Sequence, residues 1–132
     1  WACGSFGERV LRPLLAGFNH FLSCCENVGG GTTLGPDAKP LGKVLVGVGN
    51  GSVEDSLEAD DSSSVLYEGA VQGSIIGTYL HGPALARNPQ LADYLLAEAL
   101  GVNPGELAEI EMPLVERLRS ERLEAVGVEE EN

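Results

Sequence analysis

The sequence predicts an α/β fold, and three stretches of the chain carry that prediction. The first, KVLVGV at 43–48, is rich in β-branched residues and is closed by a Gly-Asn-Gly turn signal, which indicates a strand. The second, 65–80, predicts two short strands that break near Glu68-Gly69 or Gly73. The third, 88–101, predicts a capped helix directly behind those strands. Strands and helices in this succession favour the α/β class.

Within these stretches, local residue choice indicates where each element lies. The β-branched and aromatic residues of 75–79 favour a central strand. Asn88 is a strong N-cap residue, Pro89 suits the first helical position, and Gly101 suits the position after the last turn. A last helix is predicted from Pro113 to about Ala125.

The remaining segments predict loops and divide the chain. Residues 1–16 stay unassigned, because RVLRPLLAG fits a short helix or a strand and Pro13 interrupts either. The glycine- and proline-rich stretch 26–42 predicts a loop, and the acidic, serine-rich stretch 52–64 predicts a mobile surface loop. We therefore expect an N-terminal segment at 1–16, the main part of a domain at 17–127, and a solvated acidic tail at 128–132.

The charge balance excludes one large class of partners. The chain has 20 acidic against 8 basic residues and a formal net charge of −12, and most of the negative charge follows Gly51. Such a surface repels phosphate backbones, so we expect no nucleic-acid binding. The chain opens on no secretory pattern and contains no apolar run of bilayer length, so we expect a cytoplasmic protein without a membrane span.

The cysteines and histidines predict neither a disulfide framework nor a metal site. Cys3, Cys24 and Cys25 are odd in number and two of them are adjacent, which agrees with a reducing compartment. The two histidines lie far apart and show no zinc-like spacing. We expect no metal and no cofactor.

His81 is the candidate catalytic residue. In GTYLHGP (77–83) it follows a predicted strand and precedes a Gly-Pro pair and the capped helix. Open α/β sheets present functional groups just past the ends of their strands, and Gly82 allows a sharp turn there. An imidazole held at such a place suits a general acid or base near neutral pH. The alternative is a surface or core histidine whose hydrogen bonds are satisfied.

Four blocks of sequence resemble one known family in the family's own order. They are TTLGPDAKPLGKVLVGVGNG (32–51), EGAVQG (68–73), GTYLHGP with LARNPQLADYLL behind it (77–96), and PLVERLRSERLEA (113–125). Over roughly residues 17–125 the chain resembles the C-terminal part of the class I glutamine amidotransferase domains of the cobyric acid synthase-like group. Within that group it is most similar to the glutaminase subunits of lipid II isoglutaminyl synthases.

This resemblance implies a fold, a reaction and a partner. The fold would be part of a flavodoxin-like domain, its C-terminal strands and helices. The reaction would be hydrolysis of glutamine by a Cys–His pair, in which His81 moves protons. The ammonia would pass to a Mur-ligase-like ATP-dependent subunit in a heterodimer, for amidation of the D-glutamate in the lipid II stem peptide.

The sequence departs from the family at the nucleophile. The family places its cysteine in a glycine-flanked strand-to-helix turn, which this sequence lacks. Cys3 precedes a glycine but follows no predicted strand, and we expect Cys24 and Cys25 to be small buried or incidental thiols. We therefore expect a truncated chain that lacks the nucleophile and is inactive alone, although Cys3 stays open.

Other parts of the site also stay open at this point. Val28 stands where the family has histidine, so no residue is assigned to glutamine binding. Glu109, Glu111 or another carboxylate could orient His81. The alternative functions are a cobyrinic or cobyric acid synthase-type amidotransferase domain, and a decayed chain that only docks on a ligase partner.

Overall fold

The computed structural model describes residues 5–28, 30–51 and 65–129, and it shows a mixed α/β chain, as the sequence predicts. The strands are β1 (Ser5–Pro13), β2 (Leu22–Val28), β3 (Gly42–Val46), β4 (Tyr67–Glu68), β5 (Ala70–Gln72), β6 (Ile75–Gly77) and β7 (Leu80–His81). The helices are α1 (Ala84–Arg87), α2 (Pro89–Leu100) and α3 (Pro113–Ala125), with a 3₁₀ turn at Pro104–Glu106 between the last two.

The main sheet has five strands in the order β4-β3-β1-β2-β7, and every neighbouring pair in it is antiparallel. β5 and β6 form a separate two-stranded antiparallel hairpin. A flavodoxin-like sheet is built from parallel strands joined by helical crossovers. The flavodoxin-like arrangement is therefore not confirmed by the described residues.

The core lies on both faces of the main sheet. Val10 and Leu11 are consecutive residues of β1, so their side chains point to opposite faces, and both are fully buried. Val10 packs with Phe21 and with Leu123 of α3. The larger cluster around Leu11 consists of Phe18, Leu22, Cys24, Leu41, Leu80 and Leu91, the last of these from α2.

The two long helices form where they were predicted, because the residues that begin and end them act within one turn of the chain. α2 begins at Pro89 with Asn88 before it, and Gly101 ends it in the left-handed conformation with a φ of 68°. α3 covers Pro113–Ala125. The four-residue helix α1 was not predicted.

Three expectations about strands and loops need correction. Residues 26–28 belong to β2 and not to the loop, which occupies the later part of 26–42. The stretch 75–79 is no central strand, because Ile75 lies in the β5–β6 hairpin with 71% of its surface exposed. The stretch 65–80 forms four short strands in place of two.

Two further expectations concern the ends and the acidic loop. β1 lies in the middle of the five-stranded sheet, so much of the unassigned segment 1–16 is a strand. The stretch 52–64 lies outside the described residues. The division of the chain at residues 16 and 127 stays a prediction. No helix of the described part has the length and apolarity to cross a membrane.

Candidate functional site

His81 ends the short edge strand β7 of the main sheet. The strand, the turn and the helix follow one another as the sequence predicts, and Gly82 has a φ of 75°. The reason given for the position needs correction, because β7 is antiparallel to its neighbour and no parallel carboxyl edge exists there. The His81 side chain is exposed, and its backbone position is fixed by pairing with β2.

Three side chains form a row across the sheet, which we call the His81 row: Glu8, Cys25 and His81. Glu8 of β1 pairs directly with Cys25 of β2, and Cys25 pairs directly with His81. Residues directly opposite each other in antiparallel strands have side chains on the same face, with Cβ atoms about 5 Å apart. The exposed Cys25 thiol and the His81 imidazole are therefore neighbours.

Arg87, at the end of α1, closes over the His81 row. Its Nη2 forms an ion pair with Glu8 Oε1, and its Nη1 lies 3.8 Å from Cys25 Sγ. Burial lowers the pKa of Arg87, but the hydrogen bond to Glu8 and the charge of Glu8 outweigh that effect and raise it above the usual value. Arg87 is therefore a fixed positive charge that ties α1 to the first two strands.

Cys24 lies behind the row and differs from Cys25 in every physical respect. It is fully buried in the core, and its thiol donates a hydrogen bond to the backbone carbonyl of His81. Burial raises the pKa of the Cys24 thiol. Cys24 is thus the small buried thiol that the sequence predicts, whereas Cys25 is exposed beside His81, and no sequence signal indicated this.

Asn88 anchors the helices that follow His81 to strand β2. Its side-chain Oδ1 accepts the backbone N–H of Ser23 at 2.8 Å, and its Nδ2 donates to the Ser23 carbonyl at 3.0 Å. Nδ2 also lies 2.6 Å from the Ala84 carbonyl, and Arg119 Nη1 of α3 donates to Oδ1 at 3.0 Å. The amide pairs with Ser23 as a neighbouring strand would, and it does not cap α2.

A buried group of charges, which we call the Arg9 cluster, consists of Arg9, Glu26 and Glu68. Arg9 is fully buried, with Nη2 2.8 Å from Glu26 Oε1 and Nη1 3.6 Å from Glu68 Oε1. Glu26 also accepts the backbone N–H of Val48 at 3.0 Å. One guanidinium thus faces two carboxylates.

The Arg9 cluster perturbs one of its carboxyl groups. Burial raises the pKa of Glu68, and the hydrogen bonds from Thr78 and Tyr79 and the charge of Arg9 reverse only part of the increase. The nearby charge of Glu26 adds to it. Arg9 is shared with Glu26, so its charge offsets only part of the effect of burial on the pKa of Glu68.

The described residues form two clefts whose linings do not include His81. One, of about 280 Å³, is lined by Thr32, Asn50, Gly69, Ala70, Gly77, Thr78 and Tyr79. The other, of about 320 Å³, lies between the β5–β6 hairpin and α2, with Val71, Ile76 and Tyr94 among its lining residues. Tyr79, which lines the first cleft, precedes His81 by two positions in the sequence.

Among the described residues, Glu109 and Glu111 do not come together with His81. Glu109 and Glu111 are exposed between the 3₁₀ turn and α3, and neither forms an ion pair with His81 in the described part of the chain. Cys3 lies outside the described residues. Within the ranges 5–28, 30–51 and 65–129, no group of three His, Cys, Asp or Glu side chains could hold a metal ion.

The comparisons with known proteins point to one class, the subunits of glutamine-hydrolysing synthases. No family model matches the sequence. A curated relative from Streptococcus pneumoniae is 36% identical over 98 residues, which cover 74% of this chain and 33% of the relative. One from Staphylococcus aureus is 38% identical over 74 residues, covering 56% of this chain and 25% of the relative.

Both relatives are named lipid II isoglutaminyl synthase (glutamine-hydrolyzing) subunit GatD, and the chain is GatD-like. It spans a third or less of the length of these relatives. In a chain of 132 residues, a continuous stretch of 98 begins no later than residue 35 and ends no earlier than residue 98. The match to the Streptococcus pneumoniae protein therefore includes His81, and it also includes Tyr79, which lines the first cleft.

Proposed function

We propose that this chain provides the histidine of a Cys–His glutaminase site, in a subunit that supplies ammonia for amidation of the D-glutamate of lipid II. The observation that carries the proposal is that His81, an exposed imidazole at a fixed strand end, falls inside the stretch similar to a glutamine-hydrolysing subunit. Both relatives carry the lipid II name, which favours amidation of peptidoglycan over amidation of a corrin ring.

Hydrolysis of glutamine by this mechanism requires a thiolate nucleophile and a group that transfers protons. The thiolate attacks the side-chain amide carbon of glutamine, the C–N bond breaks to release ammonia, and water hydrolyses the remaining thioester to glutamate. A neighbouring imidazole takes the thiol proton and passes it to the departing nitrogen. Within residues 5–28, 30–51 and 65–129, no side chain hydrogen-bonds the His81 ring.

We place the nucleophile outside the described residues. Cys24 is buried, and Cys25 lies within a strand rather than at the strand-to-helix turn that provides backbone N–H groups for the oxyanion. Cys3 is one candidate and another segment of the assembled enzyme is the other. The finer fold assignment, the C-terminal part of a flavodoxin-like amidotransferase domain, and the Mur-ligase-like ATP-dependent partner both belong to this proposal.

A chimera tests the proposal without requiring the nucleophile to lie in this chain. The 98 residues of this chain that match the Streptococcus pneumoniae relative would replace the corresponding stretch of that protein, and glutamate release from glutamine would be measured. We expect the chimera to hydrolyse glutamine, and we expect His81→Ala to lower the rate by about 100-fold or more. Asp93→Ala, an exposed change on α2, is the matched control and should leave the rate unchanged.

The outcomes separate the proposed function from its alternative. Equal rates for the chimera and its His81→Ala variant would remove His81 from the chemistry. Binding of the ligase partner by the 132-residue chain, together with a chimera that releases no glutamate, would favour the alternative, a chain that only docks.

A further inference from the structure

We infer that Glu68 is a positioning residue for His81, because its buried carboxylate holds the turn at Thr78–Tyr79 that leads into β7. The inference rests on the proposed function only in assigning chemistry to His81. The contacts that carry it are between described residues and do not depend on any partner.

The carboxylate is bonded directly to the segment that precedes His81. Thr78 Oγ1 donates to Glu68 Oε1 at 2.7 Å, and the backbone N–H of Tyr79 donates to the same oxygen at 2.7 Å. The backbone N–H of Leu80 in turn donates to Thr78 Oγ1 at 3.1 Å. Three consecutive residues before His81 are therefore linked, directly or through one hydroxyl, to one buried oxygen.

Leu80 is buried in the core and the Cys24 thiol bonds to the His81 carbonyl, but the two residues before Leu80 are exposed. β7 has only two residues, and they pair with Glu26 and Cys25 on one side alone. Tyr79 is 45% exposed, so its side chain adds little burial. Exposed segments beside a short strand open most easily, so the hydrogen bonds that anchor such a segment have a large effect on its position.

Glu68 is itself held firmly, which a positioning group needs. Its backbone carbonyl accepts the N–H of Leu41 at 2.9 Å, and its side chain is fully buried beside Arg9. The next residue, Gly69, exchanges two hydrogen bonds with the Asn50 side chain, at 2.8 and 3.0 Å. The Glu68 side chain thus links the turn at Thr78–Tyr79 to a residue that is fixed in the main sheet.

The test compares two buried glutamates of the Arg9 cluster. Glu68→Ala and Glu26→Ala each remove a carboxylate beside Arg9, but only Glu68 bonds to residues 78 and 79. The readout is amide hydrogen exchange and the imidazole NMR signals of the 132-residue chain. We expect Glu68→Ala to accelerate exchange at Tyr79 and Leu80 by about tenfold or more relative to Leu22 in β2, and to shift the His81 ring signals.

Two more variants keep the inference testable if Glu68→Ala does not fold. Glu68→Gln retains an oxygen that can accept both hydrogen bonds, so it should restore slow exchange at Tyr79. Thr78→Val removes one donor from an exposed position and should loosen the same amides. Unchanged exchange at Tyr79 and Leu80 in Thr78→Val, or an equal effect of Glu26→Ala on these amides, would overturn the inference. These readouts need no glutamine hydrolysis, so failure of the proposed function would be recognised separately.

Discussion

Cys25 lies directly across the β2–β7 ladder from His81, on the same face of the sheet. The two residues are 56 positions apart in the chain, and strand pairing alone brings them together. The neighbouring Cys24 points into the core, and its thiol donates to the backbone carbonyl of His81. Two adjacent thiols therefore have opposite environments at the candidate site.

We predict that Cys25 reacts with iodoacetamide at least about tenfold faster than Cys24, because only accessible thiolates react readily. Cys24 is fully buried and burial raises the pKa of its thiol. The rates would be followed by mass spectrometry of peptides from a Cys3→Ser chain, which removes the third thiol. Cys25→Ser is the control and should abolish the fast phase. Equal labelling of the two cysteines would contradict the described burial.

We predict that the 132-residue chain alone releases no glutamate from glutamine. Both described cysteines lie in strand β2, where no turn provides the backbone N–H groups that stabilise an oxyanion. The measurement is an enzyme-coupled glutamate assay on the purified chain, with the chimera described above as a positive control. Turnover that disappears in Cys3→Ser would refute the prediction and identify Cys3 as the nucleophile.

Asn88→Ala should destabilise the chain by about 2–4 kcal/mol, because it leaves the buried N–H and carbonyl of Ser23 without their partner. Urea unfolding followed by circular dichroism measures the loss. Asn103→Ala, at an exposed position that hydrogen-bonds Glu106, should cost less than about 1 kcal/mol. A similar loss for both variants would show that Asn88 contributes little beyond an ordinary helix start.

The sequence predicted what depends on neighbouring residues. α2 and α3 follow from Pro at the helix start and Gly after the end, since these preferences act within one turn. The strand-turn-helix setting of His81 was predicted on the same grounds. Asn88 was placed correctly, but its side chain bonds to β2 rather than to its own helix, because a distant strand edge offered two buried groups.

What the sequence did not predict depends on contacts between distant segments. Arg9, Glu26 and Glu68 carry no local pattern, and only the packed sheet makes them one buried cluster. The residues 75–79 have strand propensity, but propensity does not decide between the main sheet and a separate hairpin. The antiparallel pairing and the Cys25–His81 contact belong to the same category.

The raised pKa of Glu68 predicts a specific dependence of stability on pH. The folded state holds this proton more tightly than the unfolded chain, whose glutamates titrate near about 4.3. The stability that this proton contributes to the folded state is complete below the unfolded pKa and is lost as the pH rises through the folded pKa.

The measured quantity is the unfolding free energy of the wild type minus that of Glu68→Gln. It should fall as the pH increases from about 4.3. Taking this difference cancels the titrating groups that do not interact with Glu68, such as Cys24 and Glu106. Urea unfolding of both chains across this range measures it, and a difference that stays flat or rises would show that Arg9 keeps Glu68 ionised.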